Sequence, residues 1–349
     1  MNGSCQARPT GAGMARLSLP MLDILAITGP IYIAILLGIV TTRAGLFAKA
    51  DMRVLGKFVI NLALPALLFN ALAQRPIRDI LVPSYFLAYL AGSLAVVALG
   101  WLWCRRVAGL SATASTFYVM GMSCSNSGFV GYPVLLLTLA PVAGVALALN
   151  MMVENLVMIP LLLVLAEQGR GGGGKWYRLV GQSLLRLAGN PMVIGLLAGL
   201  AVSVLGWKLP DPVARTVNLF AMSSSALSLF VIGGTLVGLP MQGMARRVLP
   251  ITFGKLLIHP LAVLLAILAL PLIGMPALAP SLRMAAVLLA AMPMLGIYAT
   301  LAQAHGHEDF SAAALLVTTA ASFLSLSGLL WVLRHPALWD DIARLAAAR

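Results

Sequence analysis

Between Met21 and Leu333 the chain passes through ten apolar stretches of roughly 18 to 27 residues, at about 21–42, 53–73, 82–104, 113–139, 142–166, 188–206, 214–238, 248–273, 282–304 and 310–333. A hydrocarbon core near 30 Å needs about 20 such residues in a helix rising 1.5 Å per residue, so each stretch reads as a membrane-spanning helix. Composition agrees: 61% of the 349 residues are hydrophobic and only 9% are charged. The fold class is therefore an all-α polytopic membrane protein of ten spans, and a water-soluble domain is excluded.

The fourth stretch is interrupted at Ser125-Asn126-Ser127-Gly128-Phe129-Val130-Gly131-Tyr132-Pro133. Pro133 has no N–H for the Phe129 carbonyl, and it disfavours helical geometry at Tyr132. Gly128 and Gly131 weaken the helix further, and Ser125, Asn126 and Ser127 carry polar atoms to a depth where lipid offers no partner. As one helix the stretch would be about 40 Å long, which also calls for tilt or a break. Pro133 suits the first position of a new half-helix, whose N–H groups and positive dipole end would then favour an anion in the gap. The plainer reading is a proline kink that only helps helices pack.

A second interruption, Ala291-Met292-Pro293-Met294-Leu295-Gly296, lies in the ninth stretch, with Pro293 at 160 positions beyond Pro133. A similar offset links Thr28-Gly29-Pro30 to Gly189-Asn190-Pro191, and Leu64-Pro65-Ala66-Leu67-Leu68-Phe69 to Ser224-Ser225-Ala226-Leu227-Ser228-Leu229-Phe230. These matches point to a duplication. Five spans separate equivalent positions, and five is odd, so the second copy enters the membrane with opposite polarity, as an inverted repeat. The expected organisation is a disordered tail over 1–20, a five-helix repeat over 21–166, a glycine-rich linker over 167–187, a second repeat over 188–333 and a tail over 334–349. Met1, Met14 and Met21 are all candidate start residues.

The net charge of +13 does not indicate nucleic acid, because the 23 Lys and Arg lie in twos and threes between apolar stretches and form no basic face. They set orientation instead. One side holds thirteen, from Arg43 to Lys255, and the other side's internal loops hold five, Arg75, Arg78, Lys208, Arg215 and Arg283. By the positive-inside rule the thirteen face the cytoplasm, which places both termini in the periplasm of a bacterial inner membrane. Gly171 to Gly174 lack the Lys-Ser or Lys-Thr of a phosphate loop and read as a linker. Cys5, Cys104 and Cys124 have no metal spacing and no disulfide framework.

Asn61 to Phe69 and Asn126 to Pro133, with Glu154 and Pro160, Met292-Pro293 and Thr318-Thr319, resemble the auxin efflux carrier family, particularly its bacterial malonate and organic-acid carriers. The resemblance spans residues 21 to 333. It implies two inverted five-helix repeats whose fourth and ninth helices break at prolines and cross, as in the distantly similar bile-acid sodium symporters. The chain departs from the family in the ninth span, where Met294 and Leu295 follow the proline in place of small or polar residues.

The candidate substrate-binding residues are Asn126, Ser127, Gly128, Pro133, Asn61, Pro65, Pro293, Met294 and Ser224. Glu154, Lys255 and His259 are candidates for proton coupling. An ionised carboxylate at mid-membrane costs about 2.5 to 3.5 kcal/mol or more, so Glu154 is protonated, paired, or facing a wet cavity. Its structural alternative is a pairing with Asn150 or with a Lys of another span. Lys57 and Asn61 share a face, an arrangement that Lys255 and His259 repeat in the eighth span. His305-Gly306-His307-Glu308-Asp309 has metal-capable side chains but reads as a solvated turn. No acid pair, His-Glu-x-x-His helix or Gly-x-Ser-x-Gly elbow supports the alternative of a membrane-embedded enzyme acting on a lipid or peptide. The expected function is secondary active transport of a small carboxylate by alternating access. It needs no cofactor beyond a coupling H+ or Na+, and its partners are the bilayer and a possible second copy in a homodimer.

Overall fold

The computed structural model describes residues 20–169, 181, 189–238, 245–303 and 305–334. Both predicted tails except Pro20 and Arg334, and most of the predicted linker including Gly171 to Gly174, lie outside them. The described residues are helical, apart from turns and one isolated bridge. We label the helices α1 (Pro20–Arg43), α2 (Lys49–Ala73), α3 (Pro83–Arg106), α4 (Ala112–Ser123), α5 (Ser127–Thr138), α6 (Ala140–Gly169), α7 (Pro191–Leu205), α8 (Asp211–Thr235), α9 (Arg247–Ile273), α10 (Pro280–Ala290), α11 (Tyr298–Gln303) and α12 (Glu308–Arg334).

Among the described residues α2, α3, α6, α8, α9 and α12 contain segments long and apolar enough to cross a membrane, and shorter apolar helices include α5, α7 and α10. Their outward faces are apolar as well: Leu324 is 82% exposed and Leu219 69%. Such faces suit lipid. The protein is thus a multi-pass membrane protein.

The ends of the helices follow from local chemistry. Ser111 caps α4 by accepting the Ala114 N–H, and Asn190 caps α7 by accepting the Met192 N–H with Pro191 at the first helical position. Gly206, at φ 60°, closes α7 in the left-handed conformation that only glycine adopts freely.

Glycines decide which helices touch. A Cβ at Gly38 of α1 would collide with the Phe230 carbonyl of α8, and one at Gly233 of α8 with the Ile35 carbonyl of α1. On α7, a Cβ at Gly195 would lie 2.5 Å from the Pro65 carbonyl of α2, and one at Gly199 2.7 Å from that of Phe69. These are small-residue contacts of the kind that hold membrane helices together by backbone proximity. They join α1, α2, α7 and α8 into one group. The second group is built on α3, which packs on α4 and, through Gly92, on Val263 of α9. It also contains α6, α10, α11 and α12, and it meets the first group where α6 packs on α2 and α8 packs on the start of α5.

Four helices carry one wide π-turn each: Val59–Ala63 in α2, Ser127–Gly131 in α5, Met152–Met158 in α6 and Gly254–Ile258 in α9. Each turn ends two residues before a proline, namely Pro65, Pro133, Pro160 and Pro260. The proline withholds an N–H and its ring crowds the carbonyl one turn back, and widening that turn relieves the clash without breaking the helix.

Candidate functional site

The two interrupted helices meet at their extended residues. Ser125 and Met294 form an antiparallel bridge, and the Asn126 N–H donates to the Pro293 carbonyl at 2.7 Å. The fourth and ninth spans are therefore in backbone contact at their breaks. The two prolines play different parts. Pro293 lies in the extended break itself, whereas Pro133 lies inside α5, which begins six residues earlier at Ser127. Asn126 makes that earlier start possible: its Oδ1 accepts the Phe129 N–H at 3.2 Å, and its carbonyl accepts the N–H groups of Val130 and Gly131.

The sequence reading leaves the positive end of this half-helix open for a substrate anion starting at Pro133. In the structure a carboxyl group of the protein stands there. Glu154 Oε1 accepts the Ser125 N–H at 2.7 Å, and Oε2 accepts the Ser127 hydroxyl at 3.2 Å. Ser127 Oγ in turn accepts from Asn150 Nδ2, so Asn150 reaches Glu154 through Ser127. Glu154 is 3% exposed and Asn150 is fully buried.

Lys255 meets the same residue. Fully buried, it donates from Nζ to Ser125 Oγ at 2.6 Å and to the Ala290 carbonyl at 2.8 Å, and its Nζ lies 2.7 Å from His259 Nδ1. His259 Nε2 lies 2.9 Å from Ser93 Oγ. Tyr89 closes the cluster, with its hydroxyl 3.1 Å from Ser125 Oγ and its ring edge-on to His259. Ser125 thus receives Lys255 on its hydroxyl and gives its N–H to Glu154. Two ionisable groups, bridged by Ser125 and each held by further hydrogen bonds, meet the condition under which such groups persist inside a membrane.

The remaining candidates fall in several places. Asn126 Nδ2 stands beside Gly296, where an added Cβ would lie 3.6 Å away, and it makes no hydrogen bond among the described residues. Gly131 seats α5 on α10, since a Cβ there would lie 2.5 Å from Leu289, and Gly128 faces Leu64 of α2. Met294 is buried in the bridge, and the Pro293 carbonyl is occupied by Asn126. Pro65 packs on Gly195 of α7, and Asn61 is exposed, with its amide donating to the Lys57 carbonyl one turn earlier. Ser224 and, one turn on, Ser228 are fully buried on α8 with hydroxyls that have no partner among the described residues. That helix faces the π-turns of both α2 and α5.

His305 and Gly306 form the predicted turn, with Gly306 exposed. The His305 side chain turns inward: its Nε2 lies 3.1 Å from Glu167 Oε1 at 5% side-chain exposure, with its ring on Phe117. The Phe117 carbonyl accepts the Tyr298 hydroxyl at 2.7 Å. Tyr298→Phe is expected to lower stability by about 0.5 to 1.5 kcal/mol, because it removes that hydrogen bond, and to leave transport intact. Thermal melting in detergent alongside an uptake assay checks both halves.

Sequence reasoning does not reach Ser93, Tyr89, Ala290 or Ser228, whose residue types are unremarkable in a membrane helix. One signal was available, however. Asn61, Ser127, Glu154 and Lys255 all fall in the widened turn before a proline, and such turns recur at functional sites.

Comparison with known proteins agrees with this architecture. Residues 25–330 match the family model described as "Membrane transport protein". Over 330 residues the chain is 29% identical to a Rhizobium meliloti (strain 1021) protein named "Putative malonate transporter", covering 92% of this chain and 99% of that one. It is 27% identical over 246 residues to "Uncharacterized transporter YfdV" of Escherichia coli (strain K12), covering 68% of this chain and 76% of the relative. A Methanothermobacter thermautotrophicus protein named "Uncharacterized transporter" is 27% identical over 204 residues, or 58% of this chain and 64% of the relative. The chain belongs to the membrane transport protein family, the auxin efflux carrier family that its broken-helix motif resembles.

Proposed function

We propose that the protein is a secondary transporter, not an enzyme, which carries a small organic anion such as malonate across the bacterial inner membrane by alternating access. The observation that carries this reading is the contact of two broken helices at Ser125 and Met294, with Glu154 and Lys255 buried beside it. Discontinuous helices that meet at mid-membrane are where secondary transporters bind substrate and coupling ion. The name of the Rhizobium relative supports malonate as the first substrate to try.

The ten-span inverted repeat belongs to this proposal, with repeats at 21–166 and 188–333 joined by a cytoplasmic linker and both termini periplasmic. Packing supports it. Gly38 meets the Phe230 carbonyl, and Gly199 meets that of Phe69; 161 residues separate Gly38 from Gly199, and the same 161 separate Phe69 from Phe230. One contact is thus made twice, with the roles of the halves exchanged. The group α1, α2, α7 and α8 serves as the frame, and the group containing the crossing moves against it. The frame also offers the surface for a homodimer.

Asn126 supplies the substrate contact: its Nδ2 is a donor without a protein partner at the crossing, while Ser127, Gly128 and Pro133 shape the half-helix behind it. Ser224 and Ser228 offer hydroxyls from the frame. Asn61 and Pro65 line the approach on α2, and Pro293 and Met294 form the opposite wall. Asn126→Ser keeps the helix cap and removes the amide donors. We expect it to raise the KM for a carboxylate substrate about 10- to 100-fold with little change in melting temperature, the loss of a hydrogen bond to a charged group. Unchanged uptake kinetics in that variant remove Asn126 from the site.

A further inference from the structure

Three polar atoms converge on Lys255 Nζ at 2.6, 2.7 and 2.8 Å: Ser125 Oγ, His259 Nδ1 and the Ala290 carbonyl oxygen. His259 Nδ1 and the Ala290 oxygen lie 3.1 Å apart, so Nζ sits in a compact nest of polar groups. A hydroxyl, a main-chain carbonyl at the end of a broken helix and a buried counter-charge, Glu154, are the surroundings in which transporters of this construction hold a coupling cation. In this chain the Lys255 Nζ stands among those groups.

We infer that Lys255 is a cation tethered to the protein at the place where a free monovalent cation would otherwise bind, so that the crossing is complete without sodium. The inference deepens the transporter reading and rests on it for the word coupling, but its test needs no substrate. With Nζ in that place, H+ or the membrane potential is the driving force expected. Removal of the side chain creates a site for a small cation of the alkylammonium or sodium class, lined by Ser125, Ala290 and His259.

The test is thermal melting of the purified full-length protein in detergent, at constant ionic strength. The parent is expected to melt at the same temperature in sodium and in choline chloride. Lys255→Ala is expected to melt at least about 5 °C lower, as the loss of its buried hydrogen bonds to Ser125 and Ala290 implies. Propylammonium or sodium chloride, but not choline chloride, is expected to restore part of that loss saturably, as a ligand that binds only the folded state does. A saturable sodium-specific rise in the parent overturns the inference, and so does a folded Lys255→Ala that neither cation stabilises. If Lys255→Ala does not fold, Lys255→Gln takes its place, and the sodium titration of the parent decides regardless. Failure to find a transported acid leaves these outcomes unaffected and counts against the transporter reading alone.

Discussion

Glu154→Ala is expected to abolish transport and to cost about 2 to 4 kcal/mol of stability, the range for leaving buried donors without their acceptor. The loss has two sources in the structure. The Ser125 N–H and the Ser127 hydroxyl lose their acceptor, and the start of α5 loses the carboxyl group at its positive end. Glu154→Gln separates these effects. Its amide oxygen can still accept from Ser125 while the charge is gone, so the fold is expected to survive better than with alanine. If Glu154 carries the coupling proton, uptake by the glutamine variant becomes independent of pH. A pH profile that matches the parent's reduces Glu154 to an architectural anchor. The two variants are compared by detergent melting curves and by uptake measured across pH 5 to 8.

Gly233→Leu is expected to prevent assembly of the frame. Even a Cβ at Gly233 collides with the Ile35 backbone carbonyl, and neither backbone can move aside without separating α1 from α8. Overpacking usually costs about 1 to 3 kcal/mol when side chains can adjust, and here the obstacle is main chain, so the penalty lies above that range. Gly328→Ala in α12 is the control, because nothing lies within 4 Å of its added Cβ. It is expected to stabilise slightly, by about 0.5 to 1 kcal/mol, through the helix preference of alanine. Monodisperse protein recovered by size-exclusion chromatography reads out both.

Much of the architecture was legible because a bilayer permits few solutions. Apolar stretches had to be helices, and the interruptions at Asn126 and Pro293 stood out because polar and helix-breaking residues are costly at that depth. The pairing of Glu154 with a lysine of another span was among the readings open at the start; in the structure Glu154 and Lys255 touch through Ser125, which gives its N–H to Glu154 and takes Lys255 on its hydroxyl. What the sequence did not carry is registration. The offset of 160 aligns Pro133 with Pro293, yet the backbone pairs Ser125 with Met294, because Asn126 starts α5 six residues early and a π-turn absorbs the proline. A polar residue can be recognised at a distance, but its partner depends on helix rotation, which a widened turn shifts. Asn61 shows the same limit: its type suggests a binding contact, while its amide is spent on its own helix.

The central claim is that the crossing moves a small carboxylate. Uptake of labelled malonate into proteoliposomes tests it directly, with a pH gradient, a sodium gradient or a membrane potential imposed in turn. The expected result is saturable uptake under the pH gradient or the potential, undiminished when sodium is replaced by choline and competed by other small dicarboxylates. No uptake of malonate, nor of any acid in a panel of mono- and dicarboxylates, by protein shown to be folded would contradict the claim.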